Sequence, residues 1–438
     1  MTPSAVPRWS DRGWLCTQIR IRILVSPKSR EASPLKAINP HARAFLVLMA
    51  AISALGALGI DMALPANGST ASDLGIAPEA MAWSLSVFLA GFAAAPLLAG
   101  PLCDRFGRKP VLLATLVLFS AASLGCALSD NLVSLLAWRL LQGIGGGAGR
   151  PVILAIMRDC FQGSEARSKL SFMAALGMLA PLLAPSLGSL LIVFASWQML
   201  YVFLGVYGVV IGLLLARGFR ETLATPLPQL SPRSLVGGYV MTLKESQFLA
   251  GTLATSASFA SIFAYVSAAP SLFIDDLGLT PQEFGLTFGA CSAGLIVGAV
   301  TNGRLSARHV DAHKLLLAGT GLAIVGCAGL ALCAAAGAQS IWPWLASIIP
   351  LTMSGGLVSG NATQLALQPF RQHAGTASAL MSSLQMAGAS LAGALVAVLA
   401  SLGSGPSMVI VCAGCQALMV GGIVWLRAQA QSSHAMNV

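Results

Sequence analysis

Long apolar runs separated by short polar connections dominate this sequence from residue 44 onward. Twelve runs of about 17 to 28 residues are long enough to cross a bilayer, which needs about 20 mainly apolar residues. The runs lack the alternation of apolar and polar residues that membrane strands show. They predict an all-α membrane protein with twelve transmembrane helices, at 44–64, 81–100, 111–128, 132–157, 170–194, 200–216, 248–273, 284–305, 315–336, 344–367, 375–402 and 408–426.

The composition excludes a soluble globular protein. Only 9% of the 438 residues are charged, 56% are hydrophobic, and the mean hydropathy is +0.79. Soluble domains carry about 25% charged residues, so this chain lacks the polar surface needed to face water on all sides. A lipid bilayer is the solvent that fits it.

The net charge of +10 could indicate a nucleic-acid partner, but the distribution of the cations argues against one. Lys and Arg concentrate before the first span and in alternate connections, and every second connection has none. This is the positive-inside pattern. It predicts a multi-pass protein of the plasma membrane (the inner membrane of a bacterium) with both termini in the cytoplasm.

The chain divides into two sets of six spans. We predict a basic cytoplasmic tail at 1–43, a first half at 44–216, a cytoplasmic linker at 217–246, a second half at 247–427 and a short tail at 428–438. We interpret the segment 1–43 either as an interfacial segment or as an overlong translation start. Weak internal sequence similarity supports a division into two halves. Residues 303–308 match residues 100–105 at an offset of 203, and Pro270 corresponds to Pro65.

The nine cysteines show no metal-ligand spacing, because Cys412 and Cys415 lie three residues apart on an apolar run without a nearby histidine. We interpret them as small buried hydrophobic residues. The sequence thus predicts no metal site and no cofactor.

Asp61 is the one acidic residue inside a predicted span. An ionised carboxylate in lipid costs several kcal/mol unless it faces a partner or a water-filled cavity. Asp61 is therefore a candidate proton-binding or cation-binding residue. The alternative is a structural carboxylate satisfied by a neighbouring helix.

The fourth predicted span carries Arg139, Gln142 and Arg150. In one continuous helix the two arginines would project from the same face, and Arg139 would lie at a depth similar to that of Asp61. A pair between Arg139 and Asp61 is plausible, whereas Arg150 could also snorkel to the cytoplasmic surface. Five glycines between the arginines lack the strand and amphipathic helix of a dinucleotide site, so they predict close helix packing instead.

The fifth predicted span contains two prolines one helical turn apart. Proline removes a backbone donor and bends a helix, so this span is expected to be bent. Small residues at roughly helical spacing would also give it a flat packing face, formed by Gly177, Pro181, Pro185 and Gly188.

These motifs resemble those of the major facilitator superfamily over residues 44–427. The connection between spans two and three matches the superfamily motif G-x-L-x-D-R-x-G-R-K at Gly100, Leu102, Asp104, Arg105, Gly107, Arg108 and Lys109. Residues 139–143 match the fourth-helix motif, and 177–188 resemble the fifth-helix signature of antiporters. Residues 61–66 are similar to the D-M-Y-L-P-A segment of bicyclomycin-resistance (Bcr/CflA) drug:proton antiporters, with Ala63 replacing the usual tyrosine.

The resemblance implies a monomeric transporter, not an enzyme, that exports small amphipathic drugs in exchange for protons by alternating access. Asp61 would bind the proton or a cationic substrate in competition, with Arg139, Gln142 and Arg150 nearby. Asp104, Arg105 and Arg108 would hold the cytoplasmic side closed in the outward-facing state. The expected partners are a small-molecule drug or metabolite, protons and membrane lipids, and no nucleic acid.

Three other functions remain open at this point. An exporter of an endogenous metabolite fits the same residues. An uptake symporter would use the same fold, although the fifth-helix signature argues against it. A channel or membrane sensor is disfavoured by the two similar halves and the buried charges.

Overall fold

The computed structural model describes residues 43–161, 163–223, 232–370 and 374–435, and in these ranges the chain is helical and contains no strand. The expected all-α membrane fold is therefore confirmed. The α-helices of the described ranges are α1 (Arg43–Asp61), α2 (Asn67–Asp73), α3 (Ala82–Phe106), α4 (Arg108–Ala127), α5 (Leu132–Gly147), α6 (Gly149–Cys160), α7 (Gly163–Phe194), α8 (Gln198–Gly218), α9 (Pro232–Leu243), α10 (Ser246–Pro270), α11 (Pro281–Ala307), α12 (Ala312–Ala335), α13 (Ile341–Leu367), α14 (Ala374–Val398) and α15 (Ser404–Ala435).

Within the described residues, 11 helical stretches are long and apolar enough to cross a membrane. They correspond to eleven of the twelve predicted spans. The other predicted span falls in α7, a helix of 32 residues whose separately counted apolar part is Leu179–Phe194. The longest candidates combine two consecutive helices, as in Leu132–Cys160, which joins α5 and α6.

The helices pack in two groups, which we call the first half (α1–α8) and the second half (α10–α15). In the first half, α3 packs on α5, and α4 packs on both α5 and α8. In the second half, α10 lies at the centre against α13, α14 and α15. The halves meet along two seams, α3 with α14 and α7 with α11. A cluster of buried side chains from both halves fills the space between them.

The two ends of the bundle differ in charge. The basic end is the one where α1 begins and where α3 meets α4 at Gly107, a glycine with φ of 97°. The opposite end is the one where α1 gives way to α2. It carries acidic residues such as Asp73 and Glu79 but no Lys or Arg in its connections.

Both halves begin with a helix that changes its winding near a proline at the opposite end. α1 ends at Asp61 and continues through a 3₁₀ turn, Leu64–Ala66, that contains Pro65. α10 ends at Pro270 and continues as a π-helix, Ser271–Asp276. Because proline cannot donate to the preceding turn, both positions favour such a change. The correspondence between Pro65 and Pro270 in the sequence is thus matched in the structure by a change of helix type near each proline.

Several predicted boundaries fall on parts of the chain that are only partly described. The tail 1–43 lies outside the described residues except for Arg43, and the linker 217–246 is described at both of its ends. The described part of the linker includes α9, which the sequence pattern did not predict. The exact domain boundaries therefore stay predictions.

Candidate functional site

Asp61 is the last residue of α1 and is buried, with 5% of its surface exposed. Among the described residues its carboxyl group has neither a hydrogen-bond donor nor an ion-pair partner. The carboxyl-terminal end of a helix carries partial negative charge, which disfavours a second negative charge beside it. Burial and position both disfavour a negative charge at this site.

Arg139 reaches the end of α1 but does not pair with Asp61. Its Nη1 donates to the main-chain oxygen of Gly59 at 2.8 Å and to Oε1 of Gln142 at 2.8 Å. Its Nε approaches the main-chain oxygen of Ser84 at 3.4 Å. The last four carbonyls of a helix lack intrahelical donors, and Gly59 is among those of α1. Arg139 therefore acts as a cap on the end of α1.

The guanidinium group of Arg139 is enclosed, with 2% of the residue exposed. It lies over the ring of Phe88 at 4.4 Å and near that of Tyr201 at 5.8 Å, so aromatic faces supply part of its surroundings. Gln142 continues the chain of hydrogen bonds by donating to Oγ of Ser123 at 2.8 Å. The structure brings Arg139 and Gln142 together in a closed polar network inside the first half.

Glycines explain how α5 comes close enough for this network to form. A Cβ atom at Gly143 would collide with the main-chain oxygen of Phe88, and one at Gly91 would collide with that of Leu140. A Cβ atom at Gly145 would lie 2.7 Å from the main-chain nitrogen of Phe119. The glycine run thus serves helix packing, as predicted, and α5 touches α3 and α4 nearly backbone to backbone.

Arg150 lies in different surroundings from Arg139, and whether the two share one helix face stays a prediction. The helix is interrupted at Ala148, between α5 and α6, and the side chain of Arg150 is exposed. Pro151 cannot donate to the carbonyl of Gly147, and three consecutive glycines precede the break, so a continuous helix is not maintained here. The structure does not bring Arg150 together with Arg139 and Gln142.

Tyr265 of α10 is a residue that the sequence pattern did not single out. It is 2% exposed and belongs to the same buried cluster as Ile60, the residue before Asp61, and Leu64, three residues after it. This cluster spans the boundary between the halves. The sequence feature that could have identified Tyr265 is a single tyrosine in a helix rich in serine and alanine.

A second group of charged residues surrounds the connection between α3 and α4. Arg108 is its centre: Nη1 donates to Asp104 at 2.7 Å and Nε donates to Asp159 at 3.2 Å. The side chain of Arg108 is 9% exposed, whereas that of Asp104 is 50% exposed. Thr222 also donates to Asp159, at 3.2 Å. All the polar partners described for this group belong to the first half or to the segment that follows α8.

Glu221 joins this group, although the sequence analysis did not name it. Its carboxylate accepts from the main-chain nitrogens of Arg108 at 2.9 Å and Lys109 at 3.0 Å, and so caps the start of α4. Burial acts to raise the pKa of Glu221, but main-chain donors at Leu223, Arg108, Lys109 and Thr222 outweigh it and hold this pKa below its ordinary value. Glu221 also lies where a Cβ atom at Gly107 would be, which explains the need for glycine there.

The other predicted residues of the connection between α3 and α4 make one described polar or aromatic side-chain contact each, or none. Nζ of Lys109 donates to the main-chain oxygen of Ala216 at 2.8 Å, which ties α4 to the end of α8. Arg105 lies over the ring of Phe106 at 5.0 Å. Leu102 is exposed, and a Cβ atom at Gly100 would meet no atom within 4 Å. The contacts of Gly100 therefore do not explain its place in the motif.

The predicted packing face of α7 is only partly realised. A Cβ atom at Gly188 would collide with the main-chain oxygen of Met62, so this glycine lets α7 approach the end of α1. A Cβ atom at Gly177 would meet nothing within 4 Å, so this glycine forms no packing face. Both Pro181 and Pro185 lie inside the helix, and the main-chain oxygen of Pro185 accepts from Ser189 at 2.8 Å.

The linker helix α9 contacts both halves at the basic end. The hydroxyl of Tyr239 donates to the main-chain oxygen of Leu97 in α3 at 3.2 Å. This oxygen is available because residue 101 of α3 is proline and has no N–H group to donate to it. On its other side α9 packs against α14, where Gly238 approaches Thr376.

Comparison with known proteins agrees with this architecture. The family model of the Major Facilitator Superfamily matches residues 46–393. The chain is 34% identical to the Bacillus subtilis protein YdgK, an uncharacterized MFS-type transporter, over 82% of this chain and 89% of YdgK. It is 33% identical to the multidrug resistance protein MdtL of Klebsiella pneumoniae, over 79% of this chain and 86% of MdtL.

A bicyclomycin resistance protein homolog of Haemophilus influenzae is 29% identical over 81% of this chain and 88% of its own length. Among solved structures, an inward-facing bacterial homologue of the human lysosomal transporter Spinster superposes with a TM-score of 0.64. That comparison covers 90% of this chain and 96% of the other at 14% identity, and it supports the fold alone. Together with the apolar helices, these matches show that the chain is a multi-pass membrane protein and belongs to the major facilitator superfamily.

Proposed function

We propose that this protein is a secondary active exporter of small amphipathic drugs, and that it exchanges them for protons by alternating access. The observation that carries the proposal is the buried carboxyl group of Asp61, which has no hydrogen-bond or ion-pair partner among the described residues. Relatives named for multidrug resistance and bicyclomycin resistance support drugs as the substrate class. An endogenous metabolite is the alternative substrate.

Asp61 binds the proton in this proposal. A buried carboxyl group without a partner is stable when protonated and costly when ionised, so it gives up its proton only if a cation or a hydrogen-bond donor replaces it. A substrate that supplies such a group competes with the proton for Asp61. Exchange of one for the other is the elementary step of antiport.

Arg139 and Gln142 support the site and do not contact the transported molecule. Their hydrogen bonds end on Gly59, Ser84 and Ser123, and both side chains are buried. Arg139 fixes the end of α1 and thereby the position of Asp61. The exposed side chain of Arg150 leaves it free to meet an anionic or polar part of a substrate.

Alternating access exposes Asp61 first to one side of the membrane and then to the other. In this structure the halves are joined near the opposite end, where Ser390 donates to the main-chain oxygen of Ser86 at 2.7 Å and Ser189 donates to that of Pro281 at 2.6 Å. The charged group at the basic end has no described ion pair to the second half. These contacts support a closed opposite end. Opening toward the basic end would require release of the gate of Asp104, Arg105 and Arg108 and of the packing of Leu97 against α14.

The basic end faces the cytoplasm in this proposal, because cations are retained on that side of a plasma membrane. Both termini then lie in the cytoplasm, and the opposite end, which lacks cations in its connections, faces outward. The protein works as a monomer in contact with membrane lipids, since each bundle holds its own Asp61. The proton gradient across the membrane supplies the energy.

The test is efflux of a fluorescent amphipathic dye from cells that express the protein. We expect efflux that stops when a protonophore collapses the gradient, and a loss of at least tenfold in Asp61→Asn. Asp130→Asn is the matched control, because Asp130 is an exposed carboxylate between α4 and α5. Efflux that continues without the gradient would contradict proton coupling. Accumulation of the dye would indicate uptake, and gradient-driven efflux restricted to metabolites would favour the alternative substrate.

A further inference from the structure

Tyr265 has a buried hydroxyl group with no nitrogen or oxygen partner at hydrogen-bond distance among the described residues, and its polar neighbour is the thiol of Cys291. Serine and threonine hydroxyls in a helix can bond to a carbonyl of the preceding turn. A phenol oxygen lies too far from its own backbone to do so. A buried hydroxyl without a partner is uncommon in native proteins, and it indicates a partner that is gained in another state or from a ligand.

The ring of Tyr265 is held firmly, so the position of its hydroxyl is fixed. The ring stacks on that of Phe288 with centroids 5.7 Å apart and meets the edge of Phe273 at 6.4 Å. These aromatic residues belong to the second half and are buried. The thiol of Cys291 lies beside the hydroxyl, but sulphur is a weak hydrogen-bond acceptor.

Asp61 is the corresponding unsatisfied group of the first half. Ile60, which precedes it, and Leu64, three residues after it, pack in the same cluster as Tyr265. Asp61 has no hydrogen bond of its own among the described residues. Two buried polar groups, one from each half, thus lie in or directly next to one cluster, and neither has a nitrogen or oxygen partner among the described residues.

The other charged and titratable groups around Asp61 are already engaged or point elsewhere. Arg139 is bound to Gly59 and Gln142, and Tyr201 lies by the guanidinium group of Arg139. Arg150 lies beyond the break between α5 and α6. The described part of α7 from 179 to 194, which packs on α1, contains no titratable residue. Of these charged and titratable groups, Tyr265 is the one with a buried polar atom that has no nitrogen or oxygen partner among the described residues.

We infer that Tyr265 completes the Asp61 site from the second half, by sharing a hydrogen bond with the Asp61 carboxyl group in a state in which the halves close more tightly around Asp61 than they do in this structure. This inference deepens the proposed function and rests on it for the role of Asp61. A phenol can accept from the protonated carboxyl group and donate to the ionised one, so it serves both forms. When the halves separate at this level, the bond breaks. Tyr265 thereby makes the stability of each form of Asp61 depend on the conformation of the transporter.

The experiment is infrared difference spectroscopy on the purified full chain in lipid, with Asp61→Asn to identify the carbonyl band of the protonated Asp61. Tyr265→Phe keeps the aromatic packing and removes the hydroxyl. We expect this band to shift to higher frequency in Tyr265→Phe, because a carbonyl that loses a hydrogen bond vibrates faster. Dye efflux should also fall about tenfold, as expected for loss of one hydrogen bond to a charged group.

Tyr207→Phe is the matched control. It removes a tyrosine hydroxyl that also bonds to α1, at the main-chain oxygen of Ala51 at 3.0 Å, ten residues before Asp61. This variant should leave the Asp61 band in place. An unchanged band in Tyr265→Phe would overturn the inference, and so would a band that persists in Asp61→Asn. If the band shifts as expected but the parent protein exports no dye, the proposed function fails while the pairing stands.

Discussion

Arg139 donates a hydrogen bond to the main-chain oxygen of Gly59 at 2.8 Å, and the carboxyl group of Asp61, two residues further on, remains unpaired. The arginine therefore stabilises the end of α1 by neutralising its partial negative charge. An ion pair would fix Asp61 in its ionised form. A cap on the main chain holds the residue in place and leaves its side chain able to exchange a proton.

The first prediction concerns Arg139→Lys, which keeps the charge and loses the planar group. A lysine can neither reach Gly59, Gln142 and Ser84 together nor lie flat on the ring of Phe88. We expect the free energy of unfolding to fall by about 1.5–3 kcal/mol, the range for one hydrogen bond to a charged group. Thermal unfolding of the purified protein in detergent measures the loss.

Arg304→Lys is the control for this change, because Arg304 is exposed at the end of α11. Its melting temperature should match that of the parent protein. Equal melting temperatures for Arg139→Lys and Arg304→Lys would show that Arg139 does not cap α1.

The sequence predicted the membrane spans and the burial of Asp61 because both follow from local hydropathy. It left open whether Arg139 pairs with Asp61, since the choice between Gly59 and Asp61 depends on where α1 ends, and the structure shows the bond to Gly59. It did not predict the interruption of the helix at Ala148, which follows from the proline at residue 151, because the apolar pattern continues through it. The sequence did not identify Tyr265 as a candidate site residue, because it comes next to the neighbours of Asp61 only when the two halves pack together.

The second prediction compares two glycines in the predicted motifs, Gly143 and Gly177. A Cβ atom at Gly143 would collide with the main chain at Phe88, whereas one at Gly177 would meet nothing within 4 Å. Gly143→Ala should push α5 away from α3 and cost about 1–3 kcal/mol, as overpacking does. Gly177→Ala should be neutral or stabilise by up to about 1 kcal/mol, since alanine favours helix.

Thermal unfolding of the two glycine variants side by side decides this comparison. Each variant is the control for the other, because both replace a helical glycine in the first half. A Gly143→Ala protein as stable as Gly177→Ala would mean that α3 and α5 are not packed as closely as the structure shows.

The third prediction is a dependence on pH that arises from Glu221. Its pKa lies below the ordinary value in the folded protein, so its ionised form stabilises the fold. The contribution is complete above the pKa of a free glutamate, about 4.3, and is lost as the pH falls through the lower folded pKa. Glu221→Gln should remove this dependence and loosen the start of α4 at neutral pH.

Hydrogen exchange of the amides at the start of α4, measured between about pH 7 and pH 3, tests this expectation. Correction for the intrinsic effect of pH on exchange leaves the change in protection. Glu245→Gln is the control, because Glu245 precedes α10 and makes no side-chain cap there. The same loss of protection in the parent protein and in Glu221→Gln on acidification would contradict the role given to Glu221.

The last prediction concerns the linker helix α9 and its contact with α3, which depends on Pro101 in the connection motif that begins at Gly100. The hydroxyl of Tyr239 in α9 bonds to the main-chain oxygen of Leu97, which lacks an intrahelical donor because residue 101 is proline. Tyr239→Phe should therefore release α9 from α3 and leave it held by the second half. We expect faster proteolysis of the linker and faster exchange of the α9 amides, while the melting temperature of the bundle stays close to that of the parent. Pro101→Ala supplies the competing N–H group within α3 and should weaken the same contact while Tyr239 is kept. If neither variant changes the protection of α9, its attachment to the first half does not depend on this hydrogen bond, and the contacts of α9 with α14 alone hold the linker in place.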